Sequence, residues 1–200
     1  FSYIARDNGT TAGSPAPASS NSALVTITVS EVNDAPIAAN DSVNGTEDTT
    51  LTIPFNSFLA NDLKAPAAAT DETTQTLTIT TGTFTTARGG TVVINGTEAT
   101  YTPPATFNGV DSFSYEITDN GTTNGVANPK KATAVMTLVI AEVNDAPTAN
   151  TDNVIAYKNF PVEYEVSRFL ANDSTGPANE SGQTLTIIEV FTLPGTRGTV

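Results

Sequence analysis

The string Glu31-Val32-Asn33-Asp34-Ala35-Pro36 returns letter for letter as Glu142-Val143-Asn144-Asp145-Ala146-Pro147, 111 residues further on. A second string, Phe-Leu-Ala-Asn-Asp, ends at Asp62 and again at Asp173, at the same interval. A fixed period of this length marks a tandem array, in which one supersecondary unit recurs along the chain. Aligning the copies sets residues 1–36 against 113–147 and residues 148–200 against 37–92. The chain therefore reads as the C-terminal strands of a preceding repeat (1–36), one complete repeat (37–147) and the N-terminal half of the next (148–200). On that reading it is a window in a longer polypeptide.

Within each copy, apolar residues alternate with polar ones at period 2. Val25, Ile27 and Val29 interleave with Thr26, Thr28 and Ser30, and Met136, Leu138 and Ile140 keep the same phase. Leu51-Thr52-Ile53, Leu77-Thr78-Ile79, 113–117, 162–166 and 185–187 repeat it. Such alternation predicts strands with one buried and one wet face. Asn44-Gly45, Asn95-Gly96 and Asn120-Gly121 stand between runs as hairpin signals. No stretch has sustained helical spacing, although 57–60 and 168–171 can each form one turn. About seven short strands per repeat predict an all-β chain of tandem immunoglobulin-like Greek-key β-sandwiches. Length differences fall between Asp62 and Gln75 and between Asp173 and Gln183, which marks those segments as surface loops.

The formal charge of −13, from 21 acidic and 8 basic residues, argues against nucleic acid and against anionic membrane. Cysteine and histidine are absent, which removes disulfides, thiolate metal sites, the usual zinc ligand and the commonest general base. No pair of carboxylates is placed across a cleft and no nucleophile has a base, so the chain reads as non-enzymatic.

The acidic residues gather at the junctions between repeats. In extended chain Glu142 and Asn144 share one side and Asp145 takes the other. Asp119 ends the run at 113–117, Glu47-Asp48 lies in the first hairpin region, and Asn172-Asp173 follows the next copy's second strand. The first junction has Asp7, Glu31, Asn33, Asp34, Asn61 and Asp62, with Asp71-Glu72 in reach if their loop folds back. Carboxylate and amide oxygens without nitrogen or sulfur select a hard cation, and irregular loops favour Ca²⁺ over Mg²⁺. The bland alternative is a solvated turn, for which Asn and Asp are equally suited.

Glu-Val-Asn-Asp-Ala-Pro resembles the Asp-x-Asn-Asp-x-x-Pro linker of cadherins. The series Phe-Leu-Ala-Asn-Asp, Leu-Thr-Ile, Gly-Thr-Val, Tyr-Thr-Pro-Pro, Phe-Asn-Gly-Val-Asp-Ser-Phe-Ser-Tyr, Asn-Asp-Ala-Pro is similar to the bacterial cadherin-like tandem repeats of large surface adhesins. The resemblance implies a Greek-key sandwich, Ca²⁺ between modules and a stalk in extracellular, cell-surface adhesion. It places linker ligands at Glu31, Asn33 and Asp34, and at Glu142, Asn144 and Asp145, with Asp7, Asp62, Asp119 and Asp173 as supporting carboxylates. The linker is one residue shorter than the cadherin form and the acidic loop cluster is diluted, which implies one ion per junction. Expected partners are adjacent repeats of the same chain and, through unpaired β edges, identical chains. Phe55, Phe58, Tyr101, Phe107, Phe113 and Tyr115 sit at strand phase or loop anchors, which favours core packing. A carbohydrate-binding accessory module is the competing function.

Overall fold

A computed structural model describes residues 1–192, so the Gly198-Thr199-Val200 end of the third segment lies outside the described residues. The chain is mostly β. Within residues 37–147, eight strands build two four-stranded sheets: β1 (Asp41–Thr46), β2 (Leu51–Pro54), β3 (Leu77–Ile79), β4 (Gly82–Thr85), β5 (Thr91–Ile94), β6 (Glu98–Thr102), β7 (Gly109–Asp119) and β8 (Lys131–Ala141). One four-stranded sheet has the order β2-β6-β5-β4 and is antiparallel throughout. The other has the order β1-β8-β7-β3, with β1 parallel to β8 from Met136 opposite Asp41 to Ala141 opposite Thr46. This is the two-sheet arrangement of an immunoglobulin-like β-sandwich.

The described residues group into two compact units. The first comprises Phe1–Ile37, Asp62–Ile79 and Ile117–Ala132; the second comprises Ala38–Asn61, Thr80–Glu116 and the chain from Thr133 onward. Much of the apolar core belongs to the second unit. Ile53, Val92, Ile94, Ala99 and Tyr101 bury from one sheet; Phe113, Tyr115, Ala134, Met136, Leu138 and Ile140 bury from the other. Their odd–even phase is the alternation seen in the sequence, because a strand throws successive side chains to opposite faces. Phe58 has no exposed surface and comes from a single helical turn, α1 (Asn56–Leu59). It meets Tyr115 edge-on at a centroid separation of 5.0 Å and Phe113 at 6.2 Å. The aromatics Phe58, Tyr101, Phe113 and Tyr115 are therefore core residues, as their phase suggested.

Asp111 is also inside the second unit and is 1% exposed. Its Oδ1 accepts the N–H groups of Arg88 (2.8 Å) and Ser112 (2.7 Å). Its Oδ2 accepts Thr86 Oγ1 (2.5 Å) and the Tyr101 hydroxyl (2.8 Å). Desolvation, then the carboxylate itself, pushes the Tyr101 phenol far above its ordinary range. Gly90 makes this packing possible, since a Cβ there would stand 2.6 Å from the Tyr101 ring.

Outside the complete repeat, several predicted strands are not formed. Ala23–Leu24 pairs with Ser2–Tyr3, but 25–30 has no ladder; 162–165 and 185–187 likewise lack one. A strand exists only as part of a ladder, and among the described residues these runs have no partner strand. Ile27, Val29, Ile188 and Val190 are accordingly exposed. The helical turn foreseen near 168–171 is present as α2 (Val166–Phe169).

Candidate metal centre at the repeat linkers

The first linker lies in the first unit. Asn33 is 3% exposed and fully engaged: its Nδ2 donates to Asp119 Oδ1 (3.0 Å) and to the Asn128 carbonyl (2.8 Å). Its Oδ1 accepts Gln75 Nε2 (2.7 Å), and its backbone N–H donates to Thr123 Oγ1. The N–H of Asp34 donates to Glu72 Oε1 (3.1 Å). Glu72 and Gln75 flank the short 3₁₀ turn Glu72–Thr74, and both are buried. The Asp71-Glu72 loop has thus folded back onto the linker. Glu31 accepts the N–H of Asn124 on Oε2 (2.8 Å) and lines a polar pocket of about 280 Å³ with Asp71, Glu72, Gln75 and Asn120.

The second linker, in the second unit, repeats these contacts. The N–H of Asp145 donates to Glu180 Oε1 (2.6 Å), and Gln183 Nε2 donates to Asn144 Oδ1 (3.0 Å). Glu180 ends the 3₁₀ turn Ala178–Glu180 and is 2% exposed. A further carboxylate joins here: Glu47, 1% exposed, accepts the Val143 N–H on Oε1 (2.7 Å).

Glu47, Glu180 and Asp119 each take backbone N–H groups on one oxygen and leave the other without a hydrogen bond. Glu47 Oε2, Asp145 Oδ2 and Glu180 Oε2 are shielded from solvent with no hydrogen bond. So are Asp119 Oδ2 and Gln75 Oε1 at the first linker. Buried polar atoms are almost always paired, so an orphaned carboxylate oxygen is a signal of a missing counter-group. Asp119 and Asp111 make the contrast plain, for both face inward on β7. Both oxygens of Asp111 are satisfied, whereas Asp119 takes Asn33, Gly121 and Lys130 on Oδ1 alone. Desolvation, followed by the charges of Asp48, Glu180 and Glu47, raises the Asp145 pKa above the ordinary carboxylate value. Among the described residues, no group of three or more Asp or Glu side chains stands at the spacing that would hold a metal ion. The carboxylates meet the linker backbone first and lie open on their second oxygens.

The other predicted ligands fall elsewhere. Asp7 is fully exposed and accepts Ala18 N–H (2.8 Å) and Gly9 N–H (3.0 Å) of its own hairpin, and these bonds lower its pKa. Asp173 accepts the Asn150 N–H (2.7 Å), which pins its loop to the chain after the linker. Asp62 is half-buried beside Leu63, which bridges to Ile37. Glu142 is exposed. Glu72, Gln75, Glu180 and Gln183 stand outside the predicted ligand set, yet the sequence carried their signal. Both loops end in Glu-x-x-Gln, and the two copies are 108 residues apart.

Two glycines are required by these contacts. A Cβ on Gly121 would lie 1.7 Å from Asn33 Oδ1 and 2.5 Å from Gln75 Nε2. One on Gly176 would lie 2.4 Å from Glu180 Oε2. Gly121→Ala is expected to expel Asn33 from its network and lower stability by about 1–3 kcal/mol. Urea unfolding measures this, and an unchanged midpoint would remove Asn33 as the organising residue of the first linker.

Residues 33–128 match the family model of the bacterial Ig domain. This segment is similar to a bacterial Ig-like repeat. The match begins in the first linker and runs through β7, so it spans much of the sandwich described above. No curated protein and no solved structure matches the chain. The Ig-like repeat is the level at which the resemblance in the sequence is supported; its narrower cadherin-like form is a matter of function. Among the described residues, no helix is long and apolar enough to cross a membrane.

Proposed function

We propose that the chain is a non-catalytic extracellular spacer from the stalk of a bacterial surface adhesin or fibre, whose repeat linkers are stiffened by Ca²⁺. The observation that carries this reading is the set of orphaned oxygens on Glu47, Asp145 and Glu180. Two buried carboxylates and the half-buried Asp145, each with a shielded oxygen that has no hydrogen bond, repel one another, and desolvation strengthens the repulsion. An all-oxygen donor set of this kind fits a hard dication. Glu47, Asp145 and Glu180 would hold the ion at the second linker, supported by Asn144. Glu72, Gln75 and Asp119, with Glu31 and Asp34, would do so at the first.

Because the two linkers are copies, each displays part of one arrangement. Asp119 would contribute at the first and Glu47 at the second, and the Glu-x-x-Gln clamp is common to both. Extracellular Ca²⁺ modules bind at about 10⁻⁴–10⁻³ M, so such linkers fill outside the cell and empty in cytosol. A filled linker resists bending, and a tandem array of filled linkers can carry an adhesive tip away from the surface.

Limited digestion with a glutamyl endopeptidase tests the reading directly. Cleavage after Glu31 and Glu142 is expected to slow several-fold when millimolar Ca²⁺ replaces EDTA, while Mg²⁺ at the same concentration has a smaller effect. Equal cleavage in all three conditions would contradict it. The carbohydrate-binding alternative gains nothing from the aromatics, because Phe58, Tyr101, Phe113 and Tyr115 are buried.

A further inference from the structure

The hairpin formed by residues 1–25 is half of a sheet. Ser2–Tyr3 pairs with Ala23–Leu24, and Phe1 and Val25 exchange backbone hydrogen bonds of 3.1 and 2.7 Å beside them. Aligned on the complete repeat, the two arms are copies of β7 and β8, the central strands of the order β1-β8-β7-β3. Among the described residues, neither arm has an edge strand beside it. The face that a sandwich would cover is bare. Tyr3 is 53% exposed and Ile27 is 71% exposed, whereas their copies Tyr115 and Leu138 are 2% and 0% exposed.

Residues 148–192 carry the complementary pieces. The segment 152–157 is the copy of β1, 185–187 is the copy of β3, and Phe169 is the copy of Phe58, which packs on Phe113 and Tyr115. Among the described residues, neither segment belongs to a ladder, and Val154 and Ile187 are exposed. The complete repeat supplies the register for joining them. Val43 of β1 stands opposite Leu138 of β8, and Ile79 of β3 stands opposite Ile117 of β7. Transferred to the copies, Val154 falls opposite Ile27 and Ile187 falls opposite Ala5. We propose that residues 148–192 of one copy dock on residues 1–30 of a second copy, with 152–157 and 185–187 added as the two edge strands of its hairpin. Main-chain hydrogen bonds then hold the strands, and the alternating side chains set the register. Phe169 would cover Phe1 and Tyr3. The two surfaces differ, so the contact is heterologous and repeats into an open fibre. This assembly goes beyond the spacer role and requires no cation.

Sedimentation velocity of the full chain in EDTA, so that linker cations play no part, tests the docking. The wild type is expected to grow past the mass of a dimer as concentration rises. Ile27→Asp spoils the accepting hairpin, and Val154→Asp spoils the donated strand. Both positions are exposed, so the complete repeat keeps its fold. Each variant alone is expected to stay monomeric. Mixed in equal amounts, the two are expected to form a one-to-one dimer and stop there, because one intact hairpin meets one intact strand. A wild type that is monomeric at every concentration would overturn the proposal. So would variants that associate as the wild type does, or a mixture that remains monomeric.

Discussion

Asp111→Ala is expected to lower the stability of the folded repeat by about 3–5 kcal/mol, read as a fall in the urea midpoint. The estimate follows from what is left behind. Thr86 Oγ1, the Tyr101 hydroxyl and the N–H groups of Arg88 and Ser112 all lose their acceptor. A hydrogen bond to a charged group contributes about 1.5–3 kcal/mol, and a buried donor left unsatisfied costs about 1–3 kcal/mol. Water entering the cavity offsets part of the loss. Asp111→Asn keeps the shape and one acceptor but sets an NH₂ against hydroxyl groups, so roughly half the loss is expected. A midpoint within about 0.5 kcal/mol of wild type for Asp111→Ala would mean that the Thr86–Asp111–Tyr101 network is not structural.

The second large effect concerns the linkers and has a sign that depends on the ion. Adding 5 mM Ca²⁺ to chelated protein is expected to stabilise it by about 1–2 kcal/mol per filled site, from mass action at a Kd of about 10⁻⁴–10⁻³ M. Glu180→Gln keeps an acceptor for the Asp145 N–H but removes the charge. This variant is expected to be as stable as wild type or more so in EDTA, and to lose the Ca²⁺ response. A stabilising carboxylate would behave in the opposite way, so thermal melting of the two proteins in both conditions separates the accounts. Acidification gives a related test. The raised pKa of Asp145 means that its folded form holds a proton more tightly than the unfolded chain does. Its stabilising contribution is present at low pH and is lost as pH rises through the folded pKa. In EDTA, the penalty at this cluster should therefore shrink as pH falls into the carboxylate range. Asp7, whose pKa is lowered, acts in the other direction.

The sandwich was legible because alternation at period 2 survives in the strands that bury one face. Met136, Leu138 and Ile140 are the clearest case, and all three are in the core. The same alternation at 25–30 and 185–187 misleads, because phase records a buried face without guaranteeing a partner strand. At the linkers, polar groups converge on the repeated Asn-Asp: Asn33 and Asn144 each accept a glutamine, and Asp34 and Asp145 each donate backbone to a glutamate. Loop closure was harder to read. Glu72 and Glu180 reach the linker across loops of different length, and sequence distance carries no information about such contacts. Asp173 and Asp62 recur at the full period because they belong to a shared loop, and Asp173 serves the backbone of Asn150. Recurrence alone does not separate a ligand from a turn residue. Which carboxylate oxygens are shielded without a hydrogen bond is visible only in the coordinates.

The central claim is that the orphaned carboxylate oxygens beside the linker share a hard dication. Calorimetric titration of Ca²⁺ into the chelator-stripped chain, wild type against a Glu47→Gln, Glu180→Gln double variant, tests it most directly. The account predicts saturable binding at about 10⁻⁴–10⁻³ M in the wild type and loss of that phase in the variant. Absence of binding in the wild type, or an undiminished isotherm in the variant, would contradict it.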